Sequence, residues 1–265
     1  MSQPAFRPLT VGEILDQAFG LYRRYLPALV IIALVCTAVP QIGYAFVLVR
    51  AQGPAGLLAV WWEYLLLLLA LVIFGQLAVG ASTVLLSEAY LGRTISTGDA
   101  LKRAWGSIGS IIGLSIATSL VIGLGLILLV IPGFILLSGL AVATPALMVE
   151  QGLDASSAMS RSWALTKGSR LRIFGMLAVT FLIIIVVVAG GSAMLGVAMA
   201  ATGSLKNMNP EHPSTVFSIG VQGLSLVVRT FLTPLIYCVL TVAYFDLRVR
   251  AEGFDLEMLA GSLPG

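Results

Sequence analysis

Two glutamates at the ends of apolar segments are the first residues whose type and position suggest chemistry. Glu88 and Glu150 each close a long apolar run, and Arg93, Arg103 and Arg161 follow within short polar segments. Carboxylates and guanidinium groups form charge-assisted hydrogen bonds. The spacing therefore predicts that these pairs tie the ends of the apolar segments to the polar segments that follow. Proton-coupled transport is the alternative use of such carboxylates.

Histidine-dependent and cysteine-dependent catalysis finds little support in the sequence. The single histidine, His212, stands in a polar segment and cannot act as both acid and base. Cys36 and Cys238 lie within apolar segments, where free cysteine packs as a small hydrophobic residue. The sequence has no phosphate-binding loop, no His-Glu-x-x-His and no Gly-x-Ser-x-Gly. We predict that the chain is not an enzyme and holds no metal and no cofactor.

The composition indicates a membrane protein. Of 265 residues, 58% are hydrophobic and 10% are charged, with a mean hydropathy of +1.02. A soluble domain carries about 25% charged residues, so this chain cannot cover a surface that faces water. The basic residues are spread thinly along the chain, which argues against nucleic acid as a partner and favours phospholipid.

Six apolar segments are long enough to cross a bilayer, which takes about 20 residues of helix. Ile131-Pro132-Gly133 separates the third segment from the fourth and predicts the tight turn of a helical hairpin. The fold class predicted is all-α, with residues 1–265 forming a single integral membrane domain. The predicted spans are residues 25–49, 62–87, 107–130, 133–149, 172–200 and 218–245.

Arg229 is a charge within the last predicted span. It stands fifteen residues before Tyr244, which is about 22 Å along a helix. An arginine at the centre of a bilayer costs about 2.5–3.5 kcal/mol on insertion scales. Two interpretations stay open: Arg229 contacts the phosphate of a lipid or solute, or its side chain reaches the outer headgroups. Glu63, near the outer end of the second span, is the candidate partner.

The distribution of Lys and Arg predicts the orientation. Six spans place both termini on one side of the membrane, and that side holds twelve of the fifteen basic residues. The positive-inside rule therefore places both termini in the cytoplasm. The remaining three basic residues are Arg50, Lys206 and Arg229.

Three similar polar segments precede the first, third and fifth spans. Each combines a helix-capping residue with apolar positions at helical spacing and contains a large aromatic residue, which predicts amphipathic helices lying in the headgroup region. Their predicted ranges are 10–23, 97–105 and 154–167, capped by Thr10 (with Glu13), Thr97 and Asp154, with the aromatics Phe19, Trp105 and Trp163. The chain is then predicted to be three repeats of surface helix and hairpin. The alternative is that any helix entering a membrane is amphipathic.

Three motifs resemble the membrane domain of bacterial glycerophosphoryl diester phosphodiesterases. They are Leu9-Thr10-Val11-Gly12-Glu13-Ile14-Leu15-Asp16 with Tyr22-Arg23, the stretch from Ala158 to Gly168, and Tyr244-Phe245-Asp246-Leu247-Arg248-Val249-Arg250 with Glu252-Gly253.

The resemblance covers nearly the whole chain and implies a bacterial inner-membrane protein associated with lipid metabolism. In that family a cytoplasmic barrel with two catalytic histidines follows the membrane domain in some members, and others consist of the membrane part alone. With one histidine and no soluble length for a barrel, this chain is expected to be of the second kind, without the catalytic domain.

The function expected from these features is that of a non-catalytic accessory or scaffold protein for lipid-linked processes or a membrane complex. Its expected partners are the phospholipid bilayer and another membrane protein. The alternative is a transporter or flippase for a lipid or a glycerol-phosphate-like solute, with Arg229 and Glu63 forming an intramembrane site. The residues predicted to contact cytoplasmic headgroups are Arg23, Arg24, Lys102, Arg103, Trp105, Arg161, Trp163 and Lys167.

Overall fold

Helices joined by short turns make up most of the residues that the computed structural model describes, which are 8–50, 59–150, 152–201 and 215–253. These residues form no strand. The helices are α1 (Val11–Arg50), α2 (Trp61–Tyr90), α3 (Thr97–Gly106), α4 (Ile108–Leu128), α5 (Val130–Leu140), α6 (Ala143–Val149), α7 (Ala155–Leu165), α8 (Arg170–Ala201), α9 (Thr215–Val227) and α10 (Thr233–Glu252), with a π-helical segment at Val228–Leu232 between the last two.

Six helical stretches in the described residues are long and apolar enough to cross a membrane, as judged by length and composition. This confirms the all-α class and the predicted number of apolar helices. The stretches are Val11–Tyr44, Trp61–Tyr90, Ile108–Leu128, Val130–Val149, Arg170–Ala201 and Gly223–Glu252.

The first surface helix and the first span are one element rather than two. Helix α1 runs for 40 residues without interruption and contains Pro27 and Pro40. The prediction separated residues 10–23 from 25–49, close to Pro27. A proline inside a helix removes one backbone hydrogen bond and can bend the helix, but here the helix continues on both sides of it.

The turn of the hairpin lies at Leu129, before the predicted Ile131-Pro132-Gly133. Leu129 has extended backbone angles, with φ −158° and ψ 134°. Pro132 falls in the first turn of α5, where a proline costs little because the first helical N–H groups have no partner within the helix. The next residue, Gly133, packs closely against α4, since a Cβ atom there would lie 2.8 Å from the Cα of Leu126.

The fourth span is built from two helices. Helix α5 ends at Leu140 and α6 begins at Ala143. Pro145 explains the break, because it lacks the N–H that would donate to the carbonyl oxygen four residues earlier. The two helices together match the predicted span 133–149.

Each segment that precedes the first, third and fifth spans begins with a capping interaction. Thr10 and Glu13 exchange hydrogen bonds before α1, and Asp154 and Ser157 form a capping box before α7. Before α3 the cap is Ser96, one residue earlier than the predicted Thr97, and its side chain accepts a hydrogen bond from the backbone N–H of Asp99. These caps fix the start of each helix within one residue of the prediction.

The buried core is concentrated at one end of the helices. At this end the ring of Tyr90, the last residue of α2, stacks on that of Phe245 in α10 with 4.7 Å between centroids. We call this the ion-pair end, since it contains Glu88, Glu150 and Asp246. At the other end of the α4–α5 hairpin the apolar side chains from 126 to 131 are exposed, as expected for residues that meet lipid.

Candidate functional site: ion pairs at one end and cavities between the spans

Asp246 joins the N-terminal segment to the fifth and sixth spans. Its side chain is 1% exposed, and its Oδ1 accepts a hydrogen bond from the backbone N–H of Leu9 at 2.7 Å. Its Oδ2 accepts from Arg172 at 2.8 Å and from Arg250 at 3.0 Å. Both arginines also donate to the carbonyl oxygen of Leu9. The buried carboxylate is therefore compensated by two cations and one N–H group, as such a charge requires.

Glu150 joins the fourth span to α7 and α10. The Nε of Arg161 lies 2.8 and 2.9 Å from the two carboxylate oxygens, and the hydroxyl of Tyr244 donates to Oε1 at 2.7 Å. Arg161 also pairs with Glu252 at the end of α10, and Arg248 approaches Glu252 at 3.1 Å. Five side chains from three elements thus form one hydrogen-bonded network.

The electrostatic environment keeps Arg161 charged. Hydrogen bonds to Glu252 and then to Glu150 raise the pKa of its guanidinium group above the usual value, against the opposing effect of desolvation. An arginine is already protonated at all physiological pH values. The network therefore holds a permanent cation between two carboxylates, and this arrangement is better suited to fixing helices than to carrying protons.

Glu88 makes the corresponding link between the second span and α3. Arg103 donates to its carboxylate at 2.9 Å, and Arg93 lies 3.7 Å away. The arginine side chains are 43% and 65% exposed, whereas that of Glu88 is 18% exposed. The pairs predicted from the sequence between Glu88 or Glu150 and the following arginines are thus present, and the pair at Glu88 is the more solvated.

Trp163 packs against the fourth span. Gly139 allows this, because a Cβ atom at that position would overlap the indole ring. The neighbouring Ser162 donates a hydrogen bond to the carbonyl oxygen of Gly139 at 2.8 Å. The guanidinium of Arg170 stacks on the indole, 3.6 Å from its centroid, in a cation–π interaction.

The residues predicted to contact headgroups divide into two groups. Arg103, Arg161 and Trp163 have the protein partners described above. The charges of Arg103 and Arg161 are therefore already paired with carboxylates of the protein. The remaining members are all exposed, as are Arg103 and Trp163; they are Arg23, Arg24, Lys102, Trp105 and Lys167. Among these, the guanidinium of Arg24 also lies 5.5 Å from the ring centroid of Tyr25.

Arg229 lies in the π-helical segment, and Glu63 lies in the first turn of α2. The side chain of Arg229 is outside the described part of the structure, so the predicted site formed with Glu63 stays a prediction. His212 also falls outside the described residues. Within the described ranges no three His, Cys, Asp or Glu side chains come together as a group that could hold a metal ion.

Two adjoining cavities lie between α1, α2 and the last span. The larger has a volume of about 490 Å³ and the smaller about 360 Å³. Gly75, Ser225 and Tyr237 line both of them, so we treat the two as one chamber. Other polar residues in the lining are Thr37, Gln41, Tyr44, Gln76, Ser82 and Thr233.

The chamber borders the π-helical segment of the last span. Val228, the first residue of this segment, and Thr233, which follows its last residue, line the smaller cavity, and Thr233 donates to the carbonyl oxygen of Val228 at 3.3 Å. Thr230, within the segment, is buried, and its hydroxyl has no hydrogen-bond partner among the described residues. Single π-helical turns occur frequently at functional sites, which makes the chamber the second candidate site.

Sequence reasoning missed the role of Asp246 and the chamber. Asp246 stands in the motif from Tyr244 to Arg250, but the sequence did not predict it as the partner of the N-terminal segment. Its position among basic residues at the end of the last apolar run was the available signal. The chamber leaves no comparable signal, because its polar residues are scattered singly along three apolar helices.

Comparison with known proteins gives one family. The sequence matches the family described as a domain of unknown function, DUF7847, over residues 57–247. No curated protein and no solved structure matches the chain. The resemblance to the membrane domain of glycerophosphoryl diester phosphodiesterases stays a prediction.

Proposed function

The chain belongs to the DUF7847 family, and we propose that this member is a non-catalytic accessory or scaffold protein of the bacterial inner membrane. The observation that carries the proposal is the construction of the ion-pair end. There, a half-buried ion pair holds the short helix α7 and a more exposed pair holds α3 against the ends of spans, while exposed cations and two exposed tryptophans remain on the outside. A rigid, basic, aromatic surface is suited to anionic headgroups and to a membrane partner.

The proposal includes a threefold repeat, which a common register supports. Thr10, Ser96 and Asp154 cap the three helices. Four and eight positions after each cap the residue is fully buried, and nine positions after it an aromatic residue is exposed. The buried residues are Ile14, Ala100 and Ala158, then Ala18, Ala104 and Ser162, and the aromatics are Phe19, Trp105 and Trp163.

The carboxylates support the same repeat. Glu88 at the end of the second span pairs with α3, and Glu150 at the end of the fourth pairs with α7. Asp246 near the end of the sixth span returns to Leu9, directly before the cap of α1. Each even-numbered span thus has, at or near its end, an acidic residue that bonds to the segment before the next span. The acidic residue of the sixth span bonds to the segment before the first span.

We place the ion-pair end in the cytoplasm, since the basic residues concentrate there and the positive-inside rule favours that side. Cysteine labelling tests this orientation. Gly56→Cys and Gly203→Cys, which fall in the predicted outer loops, should react with a membrane-impermeant maleimide in intact cells, whereas Lys102→Cys should react only after permeabilisation. The reverse pattern would refute the orientation.

The scaffold proposal is tested by isolating the protein in native nanodiscs and identifying every bound protein and lipid. We expect a partner at fixed stoichiometry and enrichment of anionic lipid. Trp105→Ala combined with Lys102→Gln and Lys167→Gln should weaken both associations. The matched control is Trp61→Ala, which removes an equally exposed tryptophan at the opposite end of the helices. Equal loss in both variants, or no partner in several lipid compositions, would refute the proposal.

A second candidate function is that of a transporter or flippase for a lipid or a glycerol-phosphate-like solute. The chamber between α1, α2 and the last span favours it, because its cavities fall within the range of about 300–1,000 Å³ typical of ligand sites. Arg229→Ala should then abolish flux in liposomes without reducing the yield of folded protein. Unchanged flux would exclude a role of Arg229 in transport.

A further inference from the structure

One half-buried arginine of the ion-pair end has no carboxylate partner. Arg170, the first residue of α8, forms no ion pair with a carboxylate of the described residues. Arg161 and Arg172, on either side of it in the sequence, are both paired. The Nε of Arg170 is buried and has no hydrogen-bond partner among the described residues. A guanidinium group that is partly removed from water without a counter-charge is costly, so this one is suited to an anion from outside the protein.

Trp163 holds the side chain of Arg170 in place. The guanidinium lies 3.6 Å from the centroid of the indole, and the indole packs against Gly139 of the fourth span. A cation–π interaction uses the face of the guanidinium, whereas its N–H groups donate within the plane and match the oxygens of a phosphate. The stack therefore positions the arginine without using the donors that a phosphate needs.

The surroundings of Arg170 carry further positive charge. Lys167 is exposed and forms no ion pair with a described carboxylate. The first turn of α8 contains no acidic residue, so its own side chains do not neutralise the partial positive charge at the start of this helix. Both features strengthen the attraction that Arg170 exerts on an anion.

The side of α8 below Arg170 is suited to an acyl chain. Leu171, Gly175, Ala178 and Leu182 follow one another along one side of the helix. Leu171 is 85% exposed and Leu182 is 60% exposed. Between them Ala178 is exposed, and a Cβ atom built on Gly175 meets nothing within 4 Å. The two small residues leave open space on an apolar surface, which favours a lipid over a free phosphate ion as the source of the anion.

The helices before the first and third spans lack this arrangement. Arg170 stands seven positions after Trp163. Seven positions after the exposed aromatic residues of α1 and α3, the residues are Leu26 and Ile112. A stacked arginine at this position therefore distinguishes the start of the fifth span from the starts of the first and third.

We propose that Arg170, stacked on Trp163, binds the phosphate of one anionic phospholipid at the start of α8. The phosphate accepts hydrogen bonds from Arg170 and lies near Lys167, and one acyl chain follows the side of α8 from Leu171 to Leu182. This inference rests on the scaffold proposal, which places the ion-pair end among the headgroups, and deepens it by naming one binding site and its ligand class.

Native mass spectrometry of the purified protein in mild detergent tests the site. The protein is titrated with dioleoyl phosphatidylglycerol and, separately, with dioleoyl phosphatidylcholine, and the dissociation constant of the first bound lipid is measured. We expect phosphatidylglycerol to bind more tightly, because it carries a net negative charge that phosphatidylcholine lacks. Equal affinity for the two lipids would overturn the proposal.

Arg170→Gln and Arg93→Gln form a matched pair, since each removes one positive charge from the ion-pair end. The side chain of Arg93 is 65% exposed and lies 3.7 Å from Glu88, so its charge already has a counter-charge. We expect Arg170→Gln to weaken phosphatidylglycerol binding about fivefold, the effect of one basic residue near an anionic lipid. Arg93→Gln should leave it unchanged. Equal effects of the two variants would show general charge attraction and overturn the site.

Arg170→Lys separates the charge from the planar group and serves as a second variant should Arg170→Gln fail to fold. It keeps the positive charge but loses the in-plane donors and the stack on Trp163. We expect a smaller loss of phosphatidylglycerol affinity than in Arg170→Gln. Full affinity in Arg170→Lys would refute the role given to the guanidinium group.

Two further comparisons test whether the ligand is a lipid. Inorganic phosphate at constant ionic strength should not displace phosphatidylglycerol, and displacement would assign the site to a free anion. Gly175→Leu fills the open space beside Leu171 and should weaken binding. Gly190→Leu adds the same side chain to an exposed position of α8 that also has nothing within 4 Å, and it should not weaken binding. Equal affinity in the two leucine variants would refute the course given to the acyl chain.

The outcomes separate this inference from the scaffold proposal. Phosphatidylglycerol binding that Arg170→Gln does not weaken overturns the lipid site and leaves a partner found in native nanodiscs unaffected. Selective lipid binding at Arg170 without any protein partner leaves the lipid site standing and refutes the scaffold.

Discussion

The carboxylate of Asp246 and the backbone N–H of Leu9 are 2.7 Å apart across 237 positions of sequence. This hydrogen bond brings the last described helix into contact with the residue before the cap of the first. Arg172 and Arg250 reinforce the contact, because each bonds to both the Asp246 carboxylate and the Leu9 carbonyl oxygen. The N-terminal segment is thus held by side chains from two different spans.

Asp246→Asn should therefore destabilise the protein strongly. The change leaves two arginines beside a neutral amide at a buried position, and breaking such a pair costs about 3 kcal/mol. Unfolding in mixed micelles measures the loss of free energy. Asp16→Asn is the control, since it removes the same charge from an exposed position of α1. Equal stability of the two variants would contradict the role assigned to Asp246.

Glu150→Gln should cost more stability than Glu88→Gln. Glu150 bonds to Arg161 and to the hydroxyl of Tyr244 in a half-buried network, whereas the arginines around Glu88 are largely solvated. Exposed ion pairs contribute about 0–1 kcal/mol, and hydrogen bonds to partly buried charged groups about 1.5–3 kcal/mol each.

The same unfolding assay measures both variants, and hydrogen exchange shows where the change acts. Protection should fall across α7 in Glu150→Gln and across α3 in Glu88→Gln. A larger loss of stability in Glu88→Gln would show that burial does not set the strength of these pairs.

Gly139→Ala should separate α7 from the fourth span. The new methyl group would overlap the indole of Trp163, and the contact includes the hydrogen bond from Ser162 to the Gly139 carbonyl oxygen. We expect a loss of about 1–3 kcal/mol, as for other overpacked positions, together with a shift in tryptophan fluorescence. Gly109→Ala is the control, because its Cβ atom meets nothing within 4 Å and alanine favours the helix. Equal losses in both would exclude the overlap as the cause.

The start of α7 should depend on pH through Asp154. Hydrogen bonds from the side chain and then the backbone N–H of Ser157 lower the pKa of Asp154 below its ordinary value. A lowered pKa in the folded state means that this contribution is complete above the unfolded pKa of about 3.9 and is lost as pH falls through the folded value.

Protection factors for hydrogen exchange in residues 155–165 measure this effect. They should fall below pH 4 in the wild type. Asp154→Asn keeps a good capping residue but cannot ionise, so its protection factors should vary less over the same range. An identical pH response in the variant would assign the effect to another group.

The sequence predicted the helices well, because bilayer thickness imposes their length and the capping residues mark their starts. The paired glutamates were also predictable, since Glu88 and Glu150 lie close in sequence to their arginines. Two local differences concern where helices begin and end. Pro132 belongs to a first helical turn rather than to the hairpin turn, because a proline is tolerated where the N–H has no partner within the helix. The predicted surface helix 10–23 and the predicted first span form one continuous helix, α1.

The long-range contacts could not be predicted in the same way. Asp246 has basic neighbours on its own helix, and nothing in its local sequence points to Leu9. Arginine is a residue type suited to headgroup contact. Arg161, however, forms an ion pair with Glu252 from the last helix, so its charge is paired within the protein. The chamber depends on how three helices diverge, which is a property of their packing and not of any one of them.

The contact between Asp246 and Leu9 also has a consequence for biosynthesis. The pairs at Glu88 and Glu150 connect neighbouring stretches of chain, so each can form soon after its hairpin leaves the ribosome and enters the translocon. Leu9 must wait until the helix that carries Asp246 has been inserted. The N-terminal segment consequently lacks this contact while the preceding spans are made, and it gains the contact only after they are in the membrane.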